Sequence, residues 1–194
     1  MKEGVENMEI VIGISGASGI GYGVRLLQVL DVVDGVTTHL VVTGSAERIL
    51  EIETELTLED LEAMADYVYA SKDFTAPIAS GSYIFDSMVV IPCSMKTLAG
   101  VACGLSDTLI TRCADICLKE KRRLVLVPRE TPLSLVHLKN MVAAAEAGAV
   151  VLPACPAFYS RPRSVEELTD VLVGRVLDLI GLENRLYRRW GSGL

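Results

Sequence analysis

An α/β fold with a doubly wound parallel sheet is what this sequence predicts, and three observations predict it. Short apolar runs rich in valine and isoleucine alternate with longer segments of helical periodicity. Those runs show no polar alternation, as expected of strands covered on both faces. Turns of Gly, Ser or Pro follow them, so connections are short and the crossovers right-handed.

The first such unit is Glu9 to Gly23, E-I-V-I-G-I-S-G-A-S-G-I-G-Y-G. Ile10 to Ile14 reads as a buried strand, and from Ile20 the spacing of Val24, Leu26, Leu27 and Leu30 reads as a helix. The glycine-rich turn between them lets backbone approach a ligand, and the helix start offers free N–H groups to an anion. Ser15 and Ser18 add hydroxyl donors. The turn has neither G-x-G-x-x-G nor Gly-Lys-Ser/Thr, so it meets neither the dinucleotide fingerprint nor the P-loop. The second strand, His39 to Val42, ends in Thr43-Gly44-Ser45, where a dinucleotide enzyme places an acid for the ribose diol. Hydroxyls there suit a phosphate. A mononucleotide such as FMN fits better than NAD.

Ser45 is expected to cap a helix through Glu53, and Thr57-Leu58-Glu59-Asp60 to open another. Phe74 to Tyr83 reads as a loop around Pro77 and the A-S-G-S at 79–82. Ser87 to Ile91 is a buried strand stopped by Pro92. Cys93-Ser94-Met95-Lys96-Thr97 then makes a second strand-to-helix turn, continued by the small apolar helix Leu98 to Cys103. Thr108 to Lys119 is a helix ending in Lys119, Lys121, Arg122 and Arg123, a cluster that complements a helix C-terminus and by itself reads as a solvated end. The strand Leu124 to Val127 leads through Pro128 into Arg129-Glu130-Thr131-Pro132. A helix from Leu135 to Ala147 is closed by Gly148, and Ala149 to Leu152 is the next strand. Ser164 caps a last helix to about Gly181, and 182–194 form a C-terminal tail. Four polar clusters, Ser15–Ser18, Thr43–Ser45, Cys93–Lys96 and Arg129–Glu130, fall beyond the carboxyl ends of strands, where such sheets bind ligands. Their shared position predicts one composite site.

A chain of 194 residues is expected to form one domain over 1–194 and to bury roughly 70% of its unfolded surface. Residues 1–8 read as a polar, flexible start, with Met8 an alternative initiator. Net charge of −7 argues against nucleic acid as a partner. The uncharged runs Ile10–Val24 and Ala147–Ser160 are shorter than the ~20 residues of a membrane span and are broken by Gly or Pro. The high apolar content, 51%, then points to a homo-oligomer. The five cysteines (Cys93, Cys103, Cys113, Cys117, Cys155) show no C-x-x-C and follow no signal-peptide pattern, so they read as reduced thiols of a cytoplasmic protein. Cys113 and Cys117 share a helical face and are expected in the core. With two distant histidines, His39 and His137, no metal site is expected; both read as surface or hydrogen-bonded core residues. Cys93 lacks a nearby His to activate it as a nucleophile.

Several segments in order resemble the UbiX-like flavin prenyltransferases, formerly described as aromatic-acid decarboxylases. They are G-I-S-G-A-S-G after the first strand, A-S-G-S at 79–82, P-C-S-M-K-T-L-A-G at 92–100, Arg112 with Leu118-Lys119-Glu120, V-P-R-E-T-P-L-S at 127–134, and P-A-F-Y at 156–159. The resemblance covers nearly the whole chain. It implies a Rossmann-like, homo-oligomeric flavoprotein, a dodecamer in this family. It also implies a metal-independent enzyme that joins a dimethylallyl group from dimethylallyl phosphate to N5 and C6 of reduced FMN, for use by a UbiD-type decarboxylase. Carried over by residue, Gly16, Ala17, Ser18, Thr43, Cys93, Ser94, Met95, Lys96 and Arg129 would bind FMN. Many relatives carry Ser at the position of Thr43, so only the hydroxyl is kept. Tyr159 and Arg175 would hold the prenyl phosphate, with Arg112 and Lys119 near it from a neighbouring subunit. Glu130 and Ser18 would form the proton-transfer pair, and Trp190 is a candidate aromatic wall. Such chemistry needs fixed cations around the leaving phosphate, an allyl cation kept from water and a positioned carboxylate. Two alternatives stand beside it: an FMN-dependent decarboxylase of the cysteine-decarboxylase type, and a non-catalytic flavin carrier. The first relies on a His early in the second helix and on a P-A-S-A-N-T turn; here 46–50 has no His and the turn reads P-C-S-M-K-T.

Overall fold

The computed structural model describes residues 7–191. Six parallel strands run β1 (Met8–Ile14), β2 (Val36–Val42), β3 (Tyr67–Ala70), β4 (Ser87–Cys93), β5 (Arg123–Pro128) and β6 (Val150–Val151). Their order in the sheet is β3-β2-β1-β4-β5-β6, so the chain reverses direction between β1 and β4. That reversal is the crevice where doubly wound sheets take ligands. Of the expected flexible start, residues 1–6 lie outside the described residues; Met8 already pairs with Val36 in the sheet.

Strand alternation splits the core. Ile10, Ile12 and Ile14 face one side with α1 (Ile20–Leu30) and α7 (Val165–Ile180). Val11 faces the other with α4 (Met95–Ala102), α5 (Leu109–Glu120) and α6 (Leu135–Glu146). Cys113 and Cys117 are fully buried there, as expected of core thiols. His39 is a hydrogen-bonded core residue: Nε2 lies 3.0 Å from a Glu9 oxygen and Nδ1 3.1 Å from the Tyr69 hydroxyl. Burial lowers its pKa against the pull of Glu9.

Caps set the helix boundaries and move some of them. The helix α2 (Gly44–Glu53) is capped by Thr43, not Ser45, since the Thr43 hydroxyl accepts the Ala46 N–H. Likewise α4 starts three residues before the expected Leu98, because Ser94 caps it through Thr97 N–H. Thr57 and Asp60 form a reciprocal capping box on the short α3 (Leu58–Glu62). Pro92 does not stop β4. Pairing with β5 shifts register between Val90 and Cys93, an irregularity where a missing N–H is tolerated. The edge strand β3 escapes the sequence pattern: it is four residues long and mostly exposed.

Candidate functional site

The turns after β1 and β4 are stitched together by a side chain expected to face a ligand. Ser15 is fully buried; its hydroxyl donates to the Pro92 carbonyl at 3.0 Å and accepts the Ser94 N–H at 2.8 Å. It is a structural tie, which corrects its assignment as a ligand donor. Beside it Gly16 approaches α2 so closely that a Cβ would lie 2.4 Å from Ser45 Cβ. Only glycine fits there.

Between the turns lies a cavity of about 240 Å³, lined by Gly16, Thr43, Ser45, Ser94, Lys96 and Thr97 and also by Asp107, Thr108 and Thr111. Three helix N-termini border it, those of α2, α4 and α5, capped by Thr43, Ser94 and Thr108. Each brings partial positive charge, and Lys96 adds a full one. Thr43 oxygen already accepts from Ala46, so its O–H is the group left to donate. An anion of phosphate size suits this donor set.

The start of α1, expected to be the anion site, is taken instead by Glu53. One Glu53 oxygen accepts the N–H groups of Gly19 at 2.8 Å and Ile20 at 3.0 Å. Burial opposes ionisation of Glu53. The Ser18 hydroxyl, the two N–H groups and the Arg129 charge outweigh it and hold the carboxyl below the usual glutamate range. Arg129 closes the cluster by donating from Nε to the Ser18 carbonyl at 2.8 Å. An open groove between α1 and α7 gives Glu53 a path to solvent.

Ser18 therefore has Glu53 as its carboxylate partner. Glu130, expected in that place, accepts the Thr131 N–H of its own loop at 3.0 Å. Glu53 was not singled out by sequence, although a signal existed. Glu51 and Glu53 sit in the last turn of α2, where the helix dipole disfavours acids.

Cys93 was expected among the FMN-binding residues. It is fully buried, and burial pushes its thiol up to about 12. It packs behind the turn with Met95, and the chain in front is Ser94 and Lys96. A thiol held neutral in this way is no nucleophile at physiological pH.

Four expected donor-site residues fall into two separate places. Arg112 donates from Nε to the Ala79 carbonyl at 3.0 Å and pairs with Asp115; Lys119 pairs with Glu120 beside Gly81. Because α5 starts at the cavity and runs back to feed β5, Lys119 lies at the opposite end of the sheet. Tyr159 and Arg175 are joined through the tail. Tyr159 meets Trp190 edge-on at 5.4 Å between ring centres. Arg175 Nη1 lies 3.1 Å from Asp178, which also binds Arg189 at 2.6 Å.

Residues 2–177 match the family model described as Flavoprotein. The chain is 49% identical over 183 residues to the flavin prenyltransferase UbiX of Thermoplasma acidophilum, covering 94% of this chain and all of that one. Its fold is similar to the crystal structure of AnUbiX (PadA1) in complex with FMN and dimethylallyl pyrophosphate, with a TM-score of 0.92 and 46% identity over 96% of this chain and 99% of that one. A protein described as a dodecameric, FMN-dependent UbiX-like decarboxylase from Escherichia coli O157:H7 is equally similar, with a TM-score of 0.92, 48% identity, and 94% and 99% of the two chains covered.

Proposed function

Since the chain belongs to the UbiX-like flavin prenyltransferases, within the wider flavoprotein family, we propose that it transfers a dimethylallyl group from dimethylallyl phosphate to reduced FMN. One observation carries the assignment of the site: three helix N-termini and Lys96 converge on one cavity, with the Ser18–Glu53–Arg129 cluster beside it. The residues present fit FMN. Thr43, Ser94 and Lys96 would hold its phosphate, the close-packed Gly16 and Ala17 would admit it along their backbone, and Arg129 and Ser18 would meet its ring end. Cys93 and Met95 support that wall from behind.

Reduced FMN would supply two nucleophilic atoms, N5 and C6. The N5 bond replaces the prenyl C–O bond to phosphate and releases the N5 proton; the C6 bond needs a proton delivered to the prenyl double bond, after which the C6 proton leaves. Groups that give and take protons are therefore required: Ser18 with Glu53 is the first, and Glu130 is the second. Glu53 can pass its proton on, because the α1–α7 groove opens beside it.

The prenyl phosphate belongs to Tyr159 and Arg175, with Trp190 covering the allyl group by its π face. Arg112 and Lys119 reach it from a second copy, since in one chain they lie against the 79–81 loop, apart from Tyr159 and Arg175. The product serves a UbiD-type decarboxylase. Five free cysteines suit the reducing cytoplasm, where we place the enzyme.

Mixing the protein with reduced FMN and dimethylallyl phosphate is expected to give a flavin heavier by one prenyl unit, read by mass spectrometry. Bound but unchanged FMN would leave a flavin carrier. Release of CO₂ from a C-terminal cysteine peptide would favour the decarboxylase.

Arg175→Ala tests the donor site. A guanidinium offers phosphate a planar fork, and losing a charged hydrogen bond of this kind weakens binding about 10- to 150-fold. Titration of dimethylallyl phosphate into the FMN-loaded variant reads it. Unchanged affinity would move the phosphate to Arg112 and Lys119.

A further inference from the structure

The carboxylate of Asp178 is the most heavily bonded acidic group near the donor site. It accepts from Arg175 Nη1 at 3.1 Å, Tyr187 Oη at 2.7 Å, Asn184 Nδ2 at 2.9 Å and both Arg189 Nη atoms at 2.6 and 3.1 Å. An ionised carboxylate has about four lone-pair sites, so these partners saturate it. Its side chain is only 16% exposed.

We infer that Asp178 is a positioning residue of the donor site, holding Arg175 in place for phosphate and fastening the C-terminal tail so that Trp190 stands on Tyr159. The inference rests on the assignment of Arg175 and Tyr159 to the prenyl phosphate.

The geometry of the tail supports it. Gly174, one turn before Asp178, has no side chain, and a Cβ there would lie 2.4 Å from the Tyr187 ring. The tail therefore lies flat on α7, pinned again by Asn184 on the Gly174 carbonyl at 3.0 Å. Arg189 binds Asp178, and the very next residue, Trp190, meets Tyr159 at 5.4 Å. One anchor thus fixes both the cation and the aromatic wall.

Charge points the same way. Arg175 and Arg189 converge on one carboxylate, which offsets their mutual repulsion before any phosphate arrives. Asp178 and Tyr187 both engage Arg175 through Nη1, one of the donor atoms of its fork. A guanidinium ordered in advance costs less to order on binding.

Asp178→Asn keeps the shape and removes the charge. In the FMN-loaded enzyme it is expected to raise the KM for dimethylallyl phosphate about tenfold, with FMN occupancy unchanged. Trp190 is the sole tryptophan, so acrylamide quenching of its fluorescence reports the tail and is expected to increase. In an Arg175→Ala background the same change should add less than about twofold to KM, because residues that act as a unit are not additive. If Arg175→Ala itself leaves KM unchanged, the donor-site assignment fails and this inference falls with it. If Arg175→Ala raises KM but Asp178→Asn does not, or raises it equally in both backgrounds, Asp178 does not position Arg175. Unchanged quenching would detach the tail from it. Should Asp178→Asn not fold, Tyr187→Phe leaves the charge and cuts one tie; increased quenching with raised KM supports the inference, and wild-type values of both overturn it.

Discussion

Glu53→Gln is expected to leave FMN bound while slowing prenyl transfer about 10²- to 10⁴-fold, the usual loss on removing a general base. The amide keeps an oxygen for the Gly19 and Ile20 N–H groups, so the start of α1 stays satisfied. What it cannot do is take a proton from Ser18. Rapid-mixing kinetics with reduced FMN and dimethylallyl phosphate would measure this, and wild-type turnover would remove Glu53 from the chemistry. A second readout is independent of turnover. Burial raises the Glu53 carboxyl, but its hydrogen bonds and Arg129 bring it below the ordinary range in the folded protein. A group so lowered contributes stability that is complete above its unfolded pKa and is lost as pH falls through the folded value. The Tm gap between wild type and Glu53→Gln should therefore be widest near neutrality and close in acid. A gap that persists in acid would assign it to packing.

Glu130→Gln is expected to cost a similar 10²- to 10⁴-fold in product formation, again with FMN retained. The two carboxylates have different partners: Glu53, at the end of α2, bonds the start of α1, and Glu130 bonds its own loop at Thr131. Arg129, which holds the Ser18 carbonyl, is untouched by the change, so the FMN site should keep its shape. The N5 and C6 protons leave and the prenyl double bond gains one, so each carboxylate has its own proton transfer to perform. If Glu130→Gln turns over at the wild-type rate while Glu53→Gln does not, one carboxylate serves both.

The caps show how local chemistry was legible. Ser164 and Thr108 stand where a hydroxyl precedes a helical run, and both cap the predicted helices. The cap of α2 moved by two residues because Thr43 and Ser45 are equally good by type. The choice between them depends on where β2 ends, and Thr43 N–H bonds the Ile14 carbonyl of the neighbouring strand. The burial of Cys93 was not legible for a related reason: at the irregular end of β4 its thiol lies in the core.

By itself the sequence determined the parallel α/β order, the glycine-rich first turn and the hydroxyl-bearing second turn, because periodicity, turn chemistry and caps act over a few residues. Tertiary structure alone decided which of these groups face a ligand. Glu53 meets Gly19 across 34 positions of sequence, Ser15 meets Pro92 across 77, and both contacts depend on the path of chain over the sheet. The tail likewise carries no periodic signal, and only its fit against Gly174 and Asp178 brings Trp190 to Tyr159. Hydrogen bonds between distant segments form where folding places the donors, and no local pattern encodes that meeting.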